Sequence, residues 1–371
     1  FYGSIERNII SARLPDLITF DCGRGGGAYF HQDTRSPDGS SSFCPDMPGN
    51  VTTYYIYSND FRSVDNNEIA PNATYARGSY SYKKLPKLIN LNVSSNYYLS
   101  DRNHSLKSAD NNTISIINYS GTSVGIPNNL IGKSSLTRFT SVYNRGSVNV
   151  DGSGQLVDVS GSYAFNGCGS LTSLHLYGTN LGKINFPVSF NNPSLTYLDL
   201  RYTNILGGKP NTQPDQQTHV IHKETFEGAT ELEYIMIDSR NLGAGFSNGK
   251  NRIHPDAFIS NSKLYYIWYR SYNATTGDIS QLFNANPKLT YVWMQSNRFT
   301  GTVPNFVSNP SIYYVNLQYN QLTGSIPGFK NLNNLHFIYL QNNNLTGISE
   351  PDLLPNLRTY QAPNNQIAGQ I

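Results

Sequence analysis

The strongest regularity in the chain is a spacing of apolar and polar positions that returns every 23 residues between Leu289 and Leu345. Leu289-Thr-Tyr-Val-Trp-Met-Gln-Ser-Asn297, Ile312-Tyr-Tyr-Val-Asn-Leu-Gln-Tyr-Asn320 and Leu335-His-Phe-Ile-Tyr-Leu-Gln-Asn-Asn343 share one template, LxxLxLxxN, each followed by Arg/Gln/Asn, an apolar residue, Thr and Gly. Alternation from the third to the seventh position predicts a short strand whose fourth and sixth residues point inward and whose third, fifth and seventh point outward. Counted with that template, repeats begin at Leu17, Val51, Leu88, Ile114, Leu136, Leu171, Leu195, Leu232, Leu264, Leu289, Ile312, Leu335 and Leu357, about 13 in all.

A 20- to 29-residue period with this spacing is the leucine-rich-repeat signature, and the chain resembles that superfamily. Thr300-Gly-Thr-Val-Pro304 and Thr323-Gly-Ser-Ile-Pro327 resemble its plant-type LxGxIP subclass. Tyr163-Ala-Phe-Asn-Gly-Cys168, Glu224-Thr-Phe-Glu-Gly-Ala229 and Ile253-His-Pro-Asp-Ala-Phe258 resemble the repeats of BspA-like surface adhesins, in which the Phe plugs the convex side of the core. The resemblance implies an α/β-type solenoid dominated by β. Its expected form is a curved superhelix with a parallel concave sheet and mostly irregular or short 3-10 convex segments. The expected organisation is one solenoid over residues 1–371, degenerate and loop-bearing over 1–163 and regular over 164–371. Longer intervals place inserted loops at residues 23–50, 62–84, 145–163 and 207–223.

Both ends carry half a repeat, Phe1-Tyr-Gly-Ser-Ile5 and Ile367-Ala-Gly-Gln-Ile371, without a polar capping unit. Repeat arrays need such caps, so the expectation is a segment of a longer array or ends covered by neighbours, with end-to-end self-association as one form of that cover.

Composition narrows the chemistry. Charged residues make up 14% with a net charge of +3 and no charge runs, which argues against nucleic acid as a partner. No apolar run approaches the length of a membrane span. The three cysteines, Cys22, Cys44 and Cys168, allow one bridge at most; Cys22 and Cys168 read as small buried residues, with a Cys22–Cys44 link left open. Cys22-Gly-Arg-Gly-Gly-Gly27 does not meet the GxGxxG spacing. His219, His222 and His254 lack the further ligands a zinc site needs. No catalytic constellation, cofactor or metal site is expected, and an enzyme is not. Eight sequons, among them Asn92, Asn118 and Asn344, match the roughly eight that chance supplies at this composition.

A buried amide must find partners, so Asn59, Asn96, Asn297, Asn320, Asn343 and Asn365 at the ninth position are expected to form a ladder onto turn backbone, with Thr122, Thr179 and Thr203 in that place elsewhere. Function is expected at the positions the template leaves free. The third position reads Tyr197, Tyr234, Tyr266, Tyr291, Tyr314 and Phe337; the fifth includes Trp268, Trp293 and Tyr339; the seventh includes Arg270, Gln295 and Gln318. Such a band stabilises neighbouring strands by about 0.2–1 kcal/mol per cross-strand pair, and it also has the composition of a recognition surface.

The leading expectation is a non-catalytic adhesion or recognition module, extracellular, cell-surface or on a virion, that binds a surface protein or a glycan through this band, the two ligand classes being left level. A structural segment of a phage tail fibre or extracellular filament is the alternative. A receptor ectodomain is a third reading, which lacks the capping cysteine pairs usual in that class.

Overall fold

The computed structural model describes residues 113–121, 133–143, 165–179, 189–203, 219–238, 251–272, 275–350 and 354–368, with residues 89–92, 94, 130, 184–185 and 205–206 and strands Thr19–Asp21 and Thr53–Tyr55. Two compact units divide the chain, Phe1–Gly182 and Lys183–Ile371. Cys22, Cys44, Asn59, Asn96 and Thr122 and most of the expected inserts lie outside the described residues.

In the first unit, β1 (Thr19–Asp21), β2 (Thr53–Tyr55), β3 (Asn90–Asn92), β4 (Ile116–Asn118), β5 (Arg138–Thr140) and β6 (Ser173–His175) pair in chain order, every pair parallel. The second unit holds β7 (Ile184–Asn185), β8 (Tyr197–Arg201), β9 (Ile205–Leu206), β10 (His219–Ile221), β11 (Tyr234–Asp238), β12 (Asn251–Ile253), β13 (Tyr266–Arg270), β14 (Thr275–Asp278), β15 (Tyr291–Trp293), β16 (Arg298–Thr300), β17 (Tyr314–Asn316), β18 (Thr323–Ile326), β19 (Phe337–Tyr339), β20 (Asn344–Ile348) and β21 (Thr359–Gln361). Its main sheet runs β8, β11, β13, β15, β17, β19, β21, again all parallel. Each main-sheet strand in both units begins two residues after a repeat start counted from the sequence.

Short strands lie among the turns that connect the main-sheet strands. Parallel β10–β12–β14–β16, β18–β20 and β7–β9 form small secondary sheets, so the insert expected at 207–223 ends in a strand. The glycines of these strands have a steric reason: Gly277 sits at φ +139°, and a Cβ there would stand 2.7 Å from the Ile253 carbonyl oxygen of the adjoining strand.

Between the layers lies a core of stacked, nearly identical positions. Leu198, Ile235, Ile267, Val292, Val315 and Ile338 fill the fourth position, and Leu200, Met294, Leu317 and Leu340 the sixth, all buried. Phe190, Phe226, Phe258, Phe283 and Phe306 form a spine with consecutive centroids 5.4, 5.7, 6.4 and 6.0 Å apart and planes within 21°. Phe165 and Phe139 make an edge contact at 5.0 Å in the first unit, where buried Cys168 donates its thiol hydrogen to the Leu130 carbonyl, 3.0 Å away.

Polar ladders close the turns. The carboxamide oxygens of Asn320, Asn343 and Asn365 accept from the backbone N–H of Phe299, Leu322 and Leu345, each at 3.1 Å, while their Nδ2 groups donate to carbonyls of their own and the preceding repeat. Asn297 accepts from Ser271 N and Oγ and donates to Tyr269 and Met294. Thr203 in that place makes one such bond, to Leu200 O at 2.7 Å. A second ladder precedes β13, β15 and β17: Asn261, Asn286 and Asn309, three residues before a repeat start, each donate to two carbonyls of the repeat before.

Candidate functional site

Parallel, in-register pairing turns each template position into a column across the sheet. Tyr197, Tyr234, Tyr266, Tyr291, Tyr314, Phe337 and Thr359 pair in sequence, as do Asp199, Met236, Trp268, Trp293, Asn316, Tyr339 and Gln361. The outward aromatic residues of both columns are half-buried. Contacts among these rings supply part of that cover.

The fifth-position column is a stack. The Trp268 and Trp293 rings lie 4.8 Å apart and 5° from parallel. Beyond Trp293 lies the Tyr314 ring at 5.4 Å and 26°. On the other side of Trp268 the Arg201 guanidinium sits over the ring at 5.1 Å, held there by Asp199, which takes bonds of 3.0 and 2.7 Å from Arg201 Nε and Nη2. Both faces of both indoles are therefore occupied, and the Nε1 edge of each is buried. Met236, outward in register, is 6% exposed beneath this cover. Burial overrides outward direction also at Asp199, Asp238 and Asn316, so the fifth and seventh columns are less accessible than their alternation implies.

The third-position tyrosines follow one another at 5.8, 6.1 and 5.8 Å from Tyr197 to Tyr291. The second position, which the sequence reading passed over, thickens this row: Tyr265 touches Tyr234 and Tyr291 at 5.6 Å, Tyr313 touches Tyr291 at 5.5 Å, and His336 lies 4.4 Å from Tyr313. Their recurrence directly after the first template residue was the available signal. Burial, the first cause in each case, raises the phenol pKa of Tyr197, Tyr266, Tyr291 and Tyr314 above 10.0. These hydroxyls stay neutral donors at ordinary pH.

The polar residues of the seventh column largely bond one another. Gln318 donates to Gln295, and Gln341 to Gln318 and, at 3.4 Å, to Gln361, an amide ladder that spends hydrogen-bonding capacity between the strands. Arg270 turns instead onto the Tyr272 ring, 4.1 Å from its centroid. Among the described residues no three His, Cys, Asp or Glu side chains gather as a metal-binding group, and no helix is long and apolar enough to cross a membrane.

No protein-family model and no curated protein sequence matches the chain. Solved structures do. A TDR receptor superposes with a TM-score of 0.61 at 18% identity over 96% of this chain and 57% of the receptor. PEPR1 in its structure with AtPEP1 gives 0.58 at 16% over 89% and 42%. The plant peptide hormone receptor RGFR1 in complex with RGF2 gives 0.56 at 17% over 90% and 49%. The chain spans about half the length of these receptors. The likeness establishes the leucine-rich-repeat fold.

Proposed function

We propose that the chain is a non-catalytic recognition module, extracellular or at a cell surface, whose second unit binds a protein or peptide on the aromatic face of its main sheet. The observation that carries this is the packing of Trp268 and Trp293 between Arg201 and Tyr314, which occupies both faces of both rings. A sugar ring stacks on the face of an aromatic side chain, and here those faces are taken. Peptide side chains and carbonyl groups pack against edges, so the geometry favours protein over glycan. The plant peptide hormone receptor RGFR1, to which the chain is similar in fold, is solved in complex with RGF2, which points the same way.

The chain's two tryptophans both lie in this band, so their emission reports occupancy of it. Binders selected from a random peptide library on phage should shift that emission. They should lose affinity when Tyr291 and Tyr339 are both changed to Ala with the far-ultraviolet circular dichroism retained, and keep it when Arg138 on the first unit's sheet is changed to Ala. Binders indifferent to the tyrosine pair would leave the band as internal scaffolding, the filament-type reading.

A further inference from the structure

The aromatic face has a sign. With both faces of Trp268 and Trp293 occupied and each Nε1 buried, what these half-buried rings can offer a partner is a C–H edge, the positive end of the aromatic quadrupole. The formal charges around those edges agree. Apart from Lys263, which is paired with Glu231, the charged residues on or entering the outward positions along the strands from β13 to β21 are Arg270, Lys288 and Arg358, with no carboxylate among them. None of the three is in an ion pair with a described residue. Carboxylates of the same face are confined to β8 and β11 and their approaches, where Asp199 is tied to Arg201, Glu231 is paired with Lys263, Asp238 is buried and Glu233 is half-buried. The tyrosine hydroxyls, kept protonated by burial, add O–H donors.

We infer that the partner of this face is an acidic peptide segment, its carboxylates directed at Arg270, Lys288 and Arg358 and its apolar side chains against the ring edges between β13 and β19. This inference rests on the recognition reading above and gives it a ligand chemistry. Cations this sparse suit a peptide that draws the rest of its affinity from apolar contact, and not a uniformly charged polysaccharide, which needs a dense cationic track.

The test uses the same phage selection on the full chain. The expected result is a set of peptides enriched in Asp and Glu that shift tryptophan emission. Each should weaken about fivefold with Arg270→Glu, Lys288→Glu or Arg358→Glu at low salt, a difference that shrinks as salt is added. Peptides that need Tyr291 and Tyr339 but are neutral or basic, or ignore the three reversals, would overturn the acidic assignment and leave the recognition face standing. Peptides independent of the tyrosines, or no binders at all, would overturn both. A heparin-derived octasaccharide that shifts the emission at lower concentration than the selected peptides would replace the peptide with a polyanionic glycan.

Discussion

The sheet faces of the two units follow one strand template and are filled in opposite ways. Where the second unit has its tyrosine column, the first has Asn90, Ile116, Arg138 and Ser173; where the second has Trp268 and Trp293, the first has Asn92, Asn118, Thr140 and His175. The first unit ties its face with short polar bonds. Ser115 Oγ and Thr137 Oγ1 are 2.8 Å apart, Thr172 Oγ1 donates to Thr137 O at 3.0 Å, and Asn92 and Asn118 accept from the backbone N–H two residues on. The second unit ties its face with rings and amide ladders. Inward positions set the stacking in both, and outward positions are free to differ, which is why the recognition reading attaches to one face only.

The contrast can be broken at several points. The largest expected effect is Phe283→Ala, which removes a ring stacked between Phe258 and Phe306 and should cost about 4 kcal/mol. Repeats contact mainly their neighbours, so hydrogen-exchange protection should fall in β13 to β17 and hold in β4 and β5. Equal loss in both regions would show that the two units unfold as one.

Next is Asn320→Ala, which strands the Phe299 N–H and two carbonyls in the core and should cost about 3 kcal/mol. Thr179→Ala in the first unit loses its bond to Ser141 O and should cost about 1 kcal/mol. Denaturant midpoints at unchanged slope measure both; similar costs would mean the asparagine ladder is no stronger than the threonine that stands in for it.

A third effect follows pH. The band tyrosines have folded pKa values above the 10.0 of the unfolded chain. The unfolded state therefore loses these protons first, so their contribution is complete below pH 10.0 and is lost as pH rises through the folded values. Denaturant midpoints should fall on the alkaline side of that value, with phenolate absorbance appearing as the second unit opens. Ionisation of these tyrosines before any loss of structure would contradict it. The smallest effect is Gln318→Ala: it cuts the amide ladder at a half-buried site where water replaces the lost partners, and it should cost about 1 kcal/mol or less by the same midpoint measurement.

Much of this was legible in the residues. Strand starts could be counted even where the repeats are degenerate, as at Ile114 and Leu136, because two inward apolar residues at fixed spacing suffice to set a register. The resemblance already placed Phe226 and Phe258 as plugs of the core; Phe-x-x-Asn-x-x-Leu/Ile at Phe258, Phe283 and Phe306 carries the rest of the spine and the second ladder, at a spacing that lies outside the strand template. Tyr265, Tyr313 and His336 recur in the same way at the second position.

The sequence by itself determined the repeat, the register and which side chains leave the core, because each follows from a two-residue alternation within a strand and a recurrence between strands. Only the tertiary structure decided what the outward residues do. Whether Trp268 offers a partner its face or its edge depends on Arg201 two strands away, on Asp199 holding that arginine, and on Trp293 and Tyr314 on the following strands. Those neighbours lie 25 to 69 residues distant along the chain, and their packing is a matter of rotamers that no periodicity encodes.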